Sequence, residues 1–169
     1  MANTTQMSYI QNRAGTVTVP VVELKTRVIQ YIRQDYTGGS WNPDNNYNWV
    51  PGAFYDFTPR APDSVIKYTM RLPTCKGSGL AAHAIGNWYF YANNIIYYRW
   101  EDSLQHAENG NIWEFQVPSW GTATGRIGLQ HRSHSNDGNE FRMYTTEYWD
   151  GVGSVQNCRG QLFIEEIAL

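Results

Sequence analysis

The carboxylates best placed for acid–base chemistry are two neighbours, Glu165 and Glu166. They stand in an apolar run, residues 160–168, whose pattern predicts a β-strand. Successive side chains of a strand point to opposite faces, so the two carboxylates cannot act jointly on one bond as a glycosidase pair must. We expect one of them to face solvent and the other to meet an arginine at a subunit contact.

Two histidines, His131 and His134, come nearest to a metal-binding pair. Three residues apart on an extended strand, their rings diverge, and only a local turn would bring both nitrogens to one ion. We therefore predict surface positions for both and no metal site. His83 and His106 stand alone, although histidines around the threefold axis of a trimer could chelate an ion.

Oxygen ligands of the kind that calcium prefers occur in three places. They are Glu101-Asp102 with Glu108, the segment 44–46 and the segment 136–139. Asx-rich segments more commonly form turns that need special backbone angles, so we predict turns at 44–46 and 136–139. The sequence contains no nucleophile elbow, phosphate-binding loop or dinucleotide fingerprint. We predict a protein that is not an enzyme and carries no cofactor.

Aromatic side chains remain as the binding candidates. Six of them lie in or near expected turns: Trp41, Tyr47, Trp49, Trp120, Tyr148 and Trp149. Exposed rings flanked by Asn and Asp could stack on sugar faces while amides and carboxylates bond the hydroxyls. Trp and Tyr are also the preferred anchors of protein interfaces. We favour an interface or the domain's own core over glycan binding, and the three alternatives stay open.

Composition predicts the kind of fold that positions these residues. The 169-residue chain has 7 Trp, 12 Tyr and 6 Phe, together with 15 Gly and 7 Pro, and this mixture favours an all-β domain. A net charge of -2 makes nucleic acid an unexpected partner. No apolar run reaches the roughly 18 residues of a membrane helix, and residues 1–6 lack the features of a leader. Cys75 and Cys158 lack CxxC spacing, which favours reduced thiols over a disulfide.

The pattern of apolar residues and turn formers divides the chain into a polar arm and one domain. Residues 1–25 are expected to be an arm or docking segment, and residues 26–169 a single antiparallel β-sandwich, since regular turns separate many short strands. The expected strands are 27–34, 53–58, 64–72, 80–85, 87–92, 94–101, 111–117, 124–133, 140–147 and 160–168.

Three local expectations complete this assignment. Residues 37–52 should form a long loop, and tight turns are expected at Asn93-Asn94 and at 136–139. The spacing of Val21, Leu24, Val28 and Ile32 leaves a short helix as the alternative to the strand 27–34.

Residues 57–68 (FTPRAPDSVIKY) resemble a module of tail-fibre and capsid-appendage proteins of marine bacteriophages. That module has a strand ending in Thr-Pro, a short turn containing Ser, and then an apolar strand. Residues 27–34 are similar to its opening strand, 125–132 (GRIGLQHR) to a late strand, and 160–168 to a closing strand that ends in Ile-Ala. The resemblance spans roughly residues 27–168, and the chain departs from it in its aromatic content and its 37–52 loop.

This resemblance implies a jelly-roll-like sandwich, usually trimeric, that decorates a virion or binds a host surface and has no catalytic residues. We therefore expect a virion structural protein, made in the host bacterial cytoplasm, whose partners are its own copies and other virion proteins. The alternative is a receptor-binding domain that recognises host-surface polysaccharide through the 37–52 loop. A glycan-degrading enzyme is the third hypothesis.

Overall fold

The structure of the protein is a computed structural model that describes residues 8–11, 18–21, 27–39, 41–76, 84–104, 109–134, 141–146, 156–157 and 159–169. These residues form strands and connections without a helix. The strands are β1 (Ser8–Gln11), β2 (Thr18–Val21), β3 (Arg27–Tyr36), β4 (Asn48–Phe57), β5 (Val65–Lys76), β6 (Ala84–Ala92), β7 (Ile95–Leu104), β8 (Asn109–Pro118), β9 (Gly125–Ser133), β10 (Phe141–Met143), β11 (Thr145–Thr146), β12 (Gln156–Asn157) and β13 (Gly160–Ala168).

Eight long strands pair in a nested order. β3 pairs with β13, β4 with β9, β5 with β8 and β6 with β7, all antiparallel. The pairings β5–β13 and β6–β9 join these pairs into two sheets, β8-β5-β13-β3 and β7-β6-β9-β4. This is the strand order of a jelly roll, so the predicted antiparallel jelly-roll-like sandwich is confirmed.

The short strands lie at the margins of this sandwich. β10 pairs with the end of β5, beyond the first residue of β13, and extends that sheet. β11 pairs with β12, and β1 pairs with β2, so the N-terminal segment contains a two-stranded pairing of its own.

The core lies between the two sheets and is rich in aromatic rings. Alternation along β5 turns Ile66, Tyr68, Met70 and Leu72 inward, where all four are buried. At the side where β7 meets β8, rings from both sheets close the sandwich. The closest of these contacts are Phe90–Phe115, with ring centroids 4.2 Å apart, and Trp88–Trp113, 4.6 Å apart.

The predicted strands agree with the structure except near residues 48–52, 80–86 and 144. Asn48 begins β4, so the expected 37–52 loop ends at Tyr47. The strands expected at 80–85 and 87–92 overlap one continuous strand, β6. Residues 28 and 32 lie in β3, so the helix alternative is wrong there.

One predicted turn is confirmed, and one predicted strand is interrupted. Asn93 and Asn94 adopt φ values of 48° and 66° between β6 and β7, as a two-residue hairpin turn requires. The strand expected at 140–147 is interrupted at Tyr144, where φ is 63°. The turn expected at 136–139 lies outside the described residues.

Glu166 is buried inside the sandwich and holds the turn between β4 and β5. Its carboxylate accepts hydrogen bonds from the backbone N–H groups of Arg60 (2.8 and 2.9 Å) and Ala61 (2.8 Å) and from the Ser64 hydroxyl (2.7 Å). The Gln30 amide, with its nitrogen turned toward the carboxylate, adds a donor at 3.2 Å. Glu165 lies on the opposite face, as expected, but the predicted arginine partner is wrong, because backbone donors satisfy the inner carboxylate.

We expect Glu166→Gln to lower the free energy of unfolding by about 2–3 kcal/mol, because an amide NH₂ would then face backbone N–H donors in a buried site. Glu165→Gln, one residue away on the outer face, should change stability by less than about 1 kcal/mol. Urea denaturation of both variants at pH 7 measures this difference. Equal losses in the two variants would contradict the role assigned to Glu166.

Candidate binding surface

The structure separates the six aromatic residues that the sequence singled out. Trp41 forms a backbone bridge with Met143 (3.0 and 3.1 Å) and packs against the core. Trp120 lies edge-on to Phe57 and donates its indole N–H to the Ala123 carbonyl oxygen (2.9 Å). Both are therefore structural.

Two of the six lie together on the sandwich surface. Tyr47 and Trp49 lie on the outer face of the β7-β6-β9-β4 sheet, and Tyr148 and Trp149 fall outside the described residues.

Tyr47 belongs to a stack of rings and guanidinium groups on this outer face. Its ring stacks on Tyr89 of β6, with centroids 4.0 Å apart and planes 15° from parallel. The Arg132 guanidinium lies over Tyr47 at 4.9 Å, and that of Arg99 lies over Tyr89 at 5.0 Å. Each tyrosine ring has one face covered by the other ring. The guanidinium group over each ring therefore lies on its second face.

A second group forms around Trp49 on the same face. Trp49 lies 5.6 Å from Phe54 of its own strand and 5.6 Å from Tyr91 of β6. The Arg126 guanidinium lies over both Phe54 (4.8 Å) and Trp49 (5.5 Å). We call the whole set the aromatic–arginine face, and it consists of Tyr47, Trp49, Phe54, Tyr89, Tyr91, Arg99, Arg126 and Arg132.

A bulge in β4 brings Trp49 and Phe54 to one face. In a regular strand, residues five apart point to opposite faces. Trp49 pairs with Gln130 and Phe54 with Gly128, so residues 50–53 together oppose the single residue Leu129. The three extra residues of the bulge turn the Phe54 side chain back to the face on which Trp49 lies. Val50 and Ala53 of the bulge are buried in the core.

Two tyrosine hydroxyls fix this bulge from inside the sandwich. Tyr68, on the opposite sheet, donates to the Ala53 carbonyl oxygen (2.8 Å), and Tyr144 donates to that of Pro51. Burial raises the pKa of both hydroxyls above 10, so they remain protonated donors at neutral pH.

Gly128 allows the bulge to lie close to β9. A Cβ at this position would overlap the Ala53 carbonyl oxygen and the backbone of Phe54. The glycine therefore sets the approach of the two strands beneath Phe54.

We expect Gly128→Ala to destabilise the protein by about 2–3 kcal/mol, since backbone cannot move away as a flexible side chain would. Gly39→Ala is the matched control, because a Cβ there meets nothing within 4 Å, and it should change stability by less than about 0.5 kcal/mol. Thermal and urea unfolding compare the two. A neutral effect of Gly128→Ala would contradict the close approach.

Charge is distributed unevenly on the aromatic–arginine face. Arg126 forms a bidentate ion pair with Asp56 (2.7 and 2.9 Å), which lowers the pKa of that carboxyl below 3.8. Within the described residues, Arg99 and Arg132 have no carboxylate within 4.0 Å. Burial, with the hydrogen bond to Tyr89 next in effect, raises the pKa of Tyr47 to about 12. The face thus carries two guanidinium groups without an ion-pair partner in the described part of the chain.

Sequence reasoning missed most of this face. Tyr89 and Tyr91 alternate with the buried Trp88 and Phe90, so their common outward direction was readable from the sequence. Which arginine lies over which ring depends on the pairing of β6 with β7 and β9, and no local pattern gives that register.

The predicted histidine positions were half right. His134 is exposed, but His131 is completely buried, with its ring 4.3 Å from that of Trp88. Alternation explains the error, since Leu129, His131 and Ser133 share the inner face of β9. Burial lowers the pKa of His131 from 6.5 to about 3, so the ring is neutral at physiological pH.

We expect His131 to make the protein acid-sensitive. The unfolded chain binds a proton below pH 6.5 and the folded chain does so only near pH 3, so stability falls as pH drops between these values, by about 1.4 kcal/mol per pH unit. Urea denaturation between pH 7 and 4 should show a shallower decline for His131→Leu than for the wild type. His134→Leu should retain the wild-type slope, and parallel curves for all three proteins would refute the assignment.

The described residues offer little to a metal ion. Asp44 accepts hydrogen bonds from the Asn46 N–H and the Asn48 amide, both at 2.8 Å, as an Asx turn does. No group of three or more His, Cys, Asp or Glu side chains placed to hold an ion occurs in the part of the chain that the structure covers. That part also contains no helix long and apolar enough to cross a membrane.

The comparisons with known proteins leave the residues themselves as the basis for a functional assignment. No model of a protein family matches this chain, and no curated protein matches it.

Proposed function

We propose that this chain is a non-enzymatic structural protein of a bacteriophage virion, of the tail-fibre or capsid-decoration knob type, that assembles as a homotrimer. The phage assignment is supported by the short motifs that resemble such modules. Two of them, residues 57–68 and 160–168, are joined in the structure by the hydrogen bonds of Glu166 to the 60–64 turn.

The observation that carries the proposed self-association is the position of the exposed apolar side chains. They fall at opposite edges of the sandwich, one edge formed by β3 with the end of β13 and the other by β7 and β8. The first group is Val28, Tyr31 and Leu169, and the second is Ile95, Tyr98 and Ile112. Exposed apolar groups of this kind are typical of protein contacts.

Two different contact patches at opposite edges of the sandwich favour a ring. When one patch meets the other patch of the next copy, the contact is heterologous and a closed rotation gives a cyclic oligomer. Tyr31, 54% exposed on β3, and Ile112, 64% exposed on β8, represent the two patches. A trimer is the cyclic assembly that the resemblance implies.

Sedimentation velocity at micromolar concentration tests this proposal. The wild type should sediment as a trimer of 19.4 kDa chains, and either Tyr31→Lys or Ile112→Lys should give monomers. Each variant retains one intact patch. Mixing the two variants should therefore give a dimer in which the two intact patches meet, and no closed ring.

The control is Thr122→Lys, which adds the same charge at an exposed loop position and should leave the trimer intact. A monomeric wild type would overturn the proposed assembly. Variants that sediment like the wild type would show that these patches do not form the contact.

The second candidate function is recognition of host-surface glycan. It is favoured by the aromatic–arginine face, where Tyr47 and Trp49 lie beside polar side chains on an open sheet surface. This face is separate from the two apolar patches, so both functions are compatible in one assembly.

A further inference from the structure

The ring faces of Tyr47 and Tyr89 are not open to a sugar. Each is covered on one side by the other tyrosine and on the other by a guanidinium group, from Arg132 or Arg99. A ligand approaching this stack therefore meets guanidinium N–H groups and ring edges, which favour a polar partner.

The same face offers little apolar area to a protein. Its five rings are all only partly exposed, and none belongs to the strongly exposed apolar side chains of the described residues. Protein interfaces usually need such side chains at their centre. This argues against a hot spot for protein binding here.

The arginines at the two ends of the stack select for negative charge. Arg99 and Arg132 are exposed, and no carboxylate of the described residues lies within 4.0 Å of either. Arg126 differs, because Asp56 already neutralises it. Glu101 also lies on this face of β7, beyond ion-pair distance of Arg99. A guanidinium fixed over a ring presents its planar donors in the geometry that carboxylate and sulfate groups accept.

Two amide side chains lie beside the stack on the same face. Gln130 pairs across the sheet with Tyr89, and Asn87 pairs with Arg132, so both side chains point outward from this face. Amides donate and accept hydrogen bonds and so suit hydroxyl groups. Alternating hydroxyls and anions along an extended chain are the chemistry of an acidic polysaccharide.

We infer that the aromatic–arginine face binds an anionic polysaccharide, with Arg99 and Arg132 contacting carboxylate or sulfate groups at two points along the chain. Asn87 and Gln130, beside the stack, bond hydroxyls of the same polysaccharide. This inference rests on glycan recognition, the second proposed function, and names the class of glycan.

Isothermal titration calorimetry with four polymers tests this inference: polygalacturonate, dextran sulfate, uncharged dextran and poly-L-glutamate. The wild type should bind polygalacturonate or dextran sulfate and not dextran. The double variant Arg99→Gln/Arg132→Gln should bind at least about tenfold more weakly, because it loses charge-assisted hydrogen bonds.

Arg33→Gln/Arg71→Gln is the matched control. These two arginines lie over the Phe163 ring, at 5.9 and 5.6 Å, on the outer face of the other sheet. Both double variants remove two positive charges from a chain of net charge -2, so the repulsion between the net charge of the protein and a polyanion increases equally in both. The control should lose less than about twofold in affinity. Sedimentation and urea denaturation of each variant confirm that assembly and folding are unchanged.

Each other outcome overturns the inference in a distinct way. Equal losses in the two double variants would indicate non-specific attraction. Binding of dextran as tight as that of the polyanions would preserve glycan recognition but refute the anionic class. Tighter binding of poly-L-glutamate would indicate an acidic protein partner. Binding of none of the four polymers would refute the inference together with glycan recognition, while the proposed trimer would stand on its own sedimentation data.

Discussion

Two carbonyl groups in the β4 bulge that point toward the core are the constraint on which the binding surface depends. A backbone oxygen turned into a core must find a donor, and an unsatisfied one costs about 1–3 kcal/mol. The hydroxyls of Tyr68 and Tyr144 meet the carbonyl oxygens of Ala53 and Pro51. Because Tyr68 belongs to the opposite sheet, the surface of one sheet is determined by side chains that reach across the interior from the other.

The two sheets are also joined at the opposite end of β4, by a different kind of contact. Glu166 of β13 gathers N–H and O–H donors from the turn that leads from β4 to β5. A buried carboxylate is tolerated when several donors surround it. The turn crosses from one sheet to the other, so this carboxylate fixes where the chain changes sheets. The bulge and the turn together hold β4 in register with the rest of the sandwich.

Local patterns in the sequence predicted those parts of the fold that depend on neighbours along the chain. Alternation in residues 64–72 and the Asn93-Asn94 pair gave a strand and a turn close to those observed. Composition misassigned residues 48–52, since Asn, Pro and Gly are typical of loops while here they form a strand with a bulge. His131 was misplaced for a related reason: its type suggested the surface although its alternation with Leu129 indicated the interior.

The binding surface could be predicted only in part. Tyr47 and Trp49 were singled out by their polar surroundings, and they do lie together. Their arginine partners, Arg132 and Arg126, come from β9, 85 and 77 residues later in the sequence, so only the pairing register brings them near. The donors to Glu166 are also far from it in the sequence. Two of them are backbone N–H groups, which the residue type does not reveal.

The position of β13 has a consequence for how this molecule is made. It lies in the middle of its sheet, between β3 and β5, although it begins 124 residues after the end of β3 and 84 residues after the end of β5. During synthesis on the ribosome, the edges of β3 and β5 that pair with β13 stay unpaired until residues 160–168 emerge. The sandwich therefore closes in a late step dominated by long-range contacts. During that interval the nascent chain can aggregate or bind chaperones. The interval ends when the nine residues of β13 pair with both neighbouring strands.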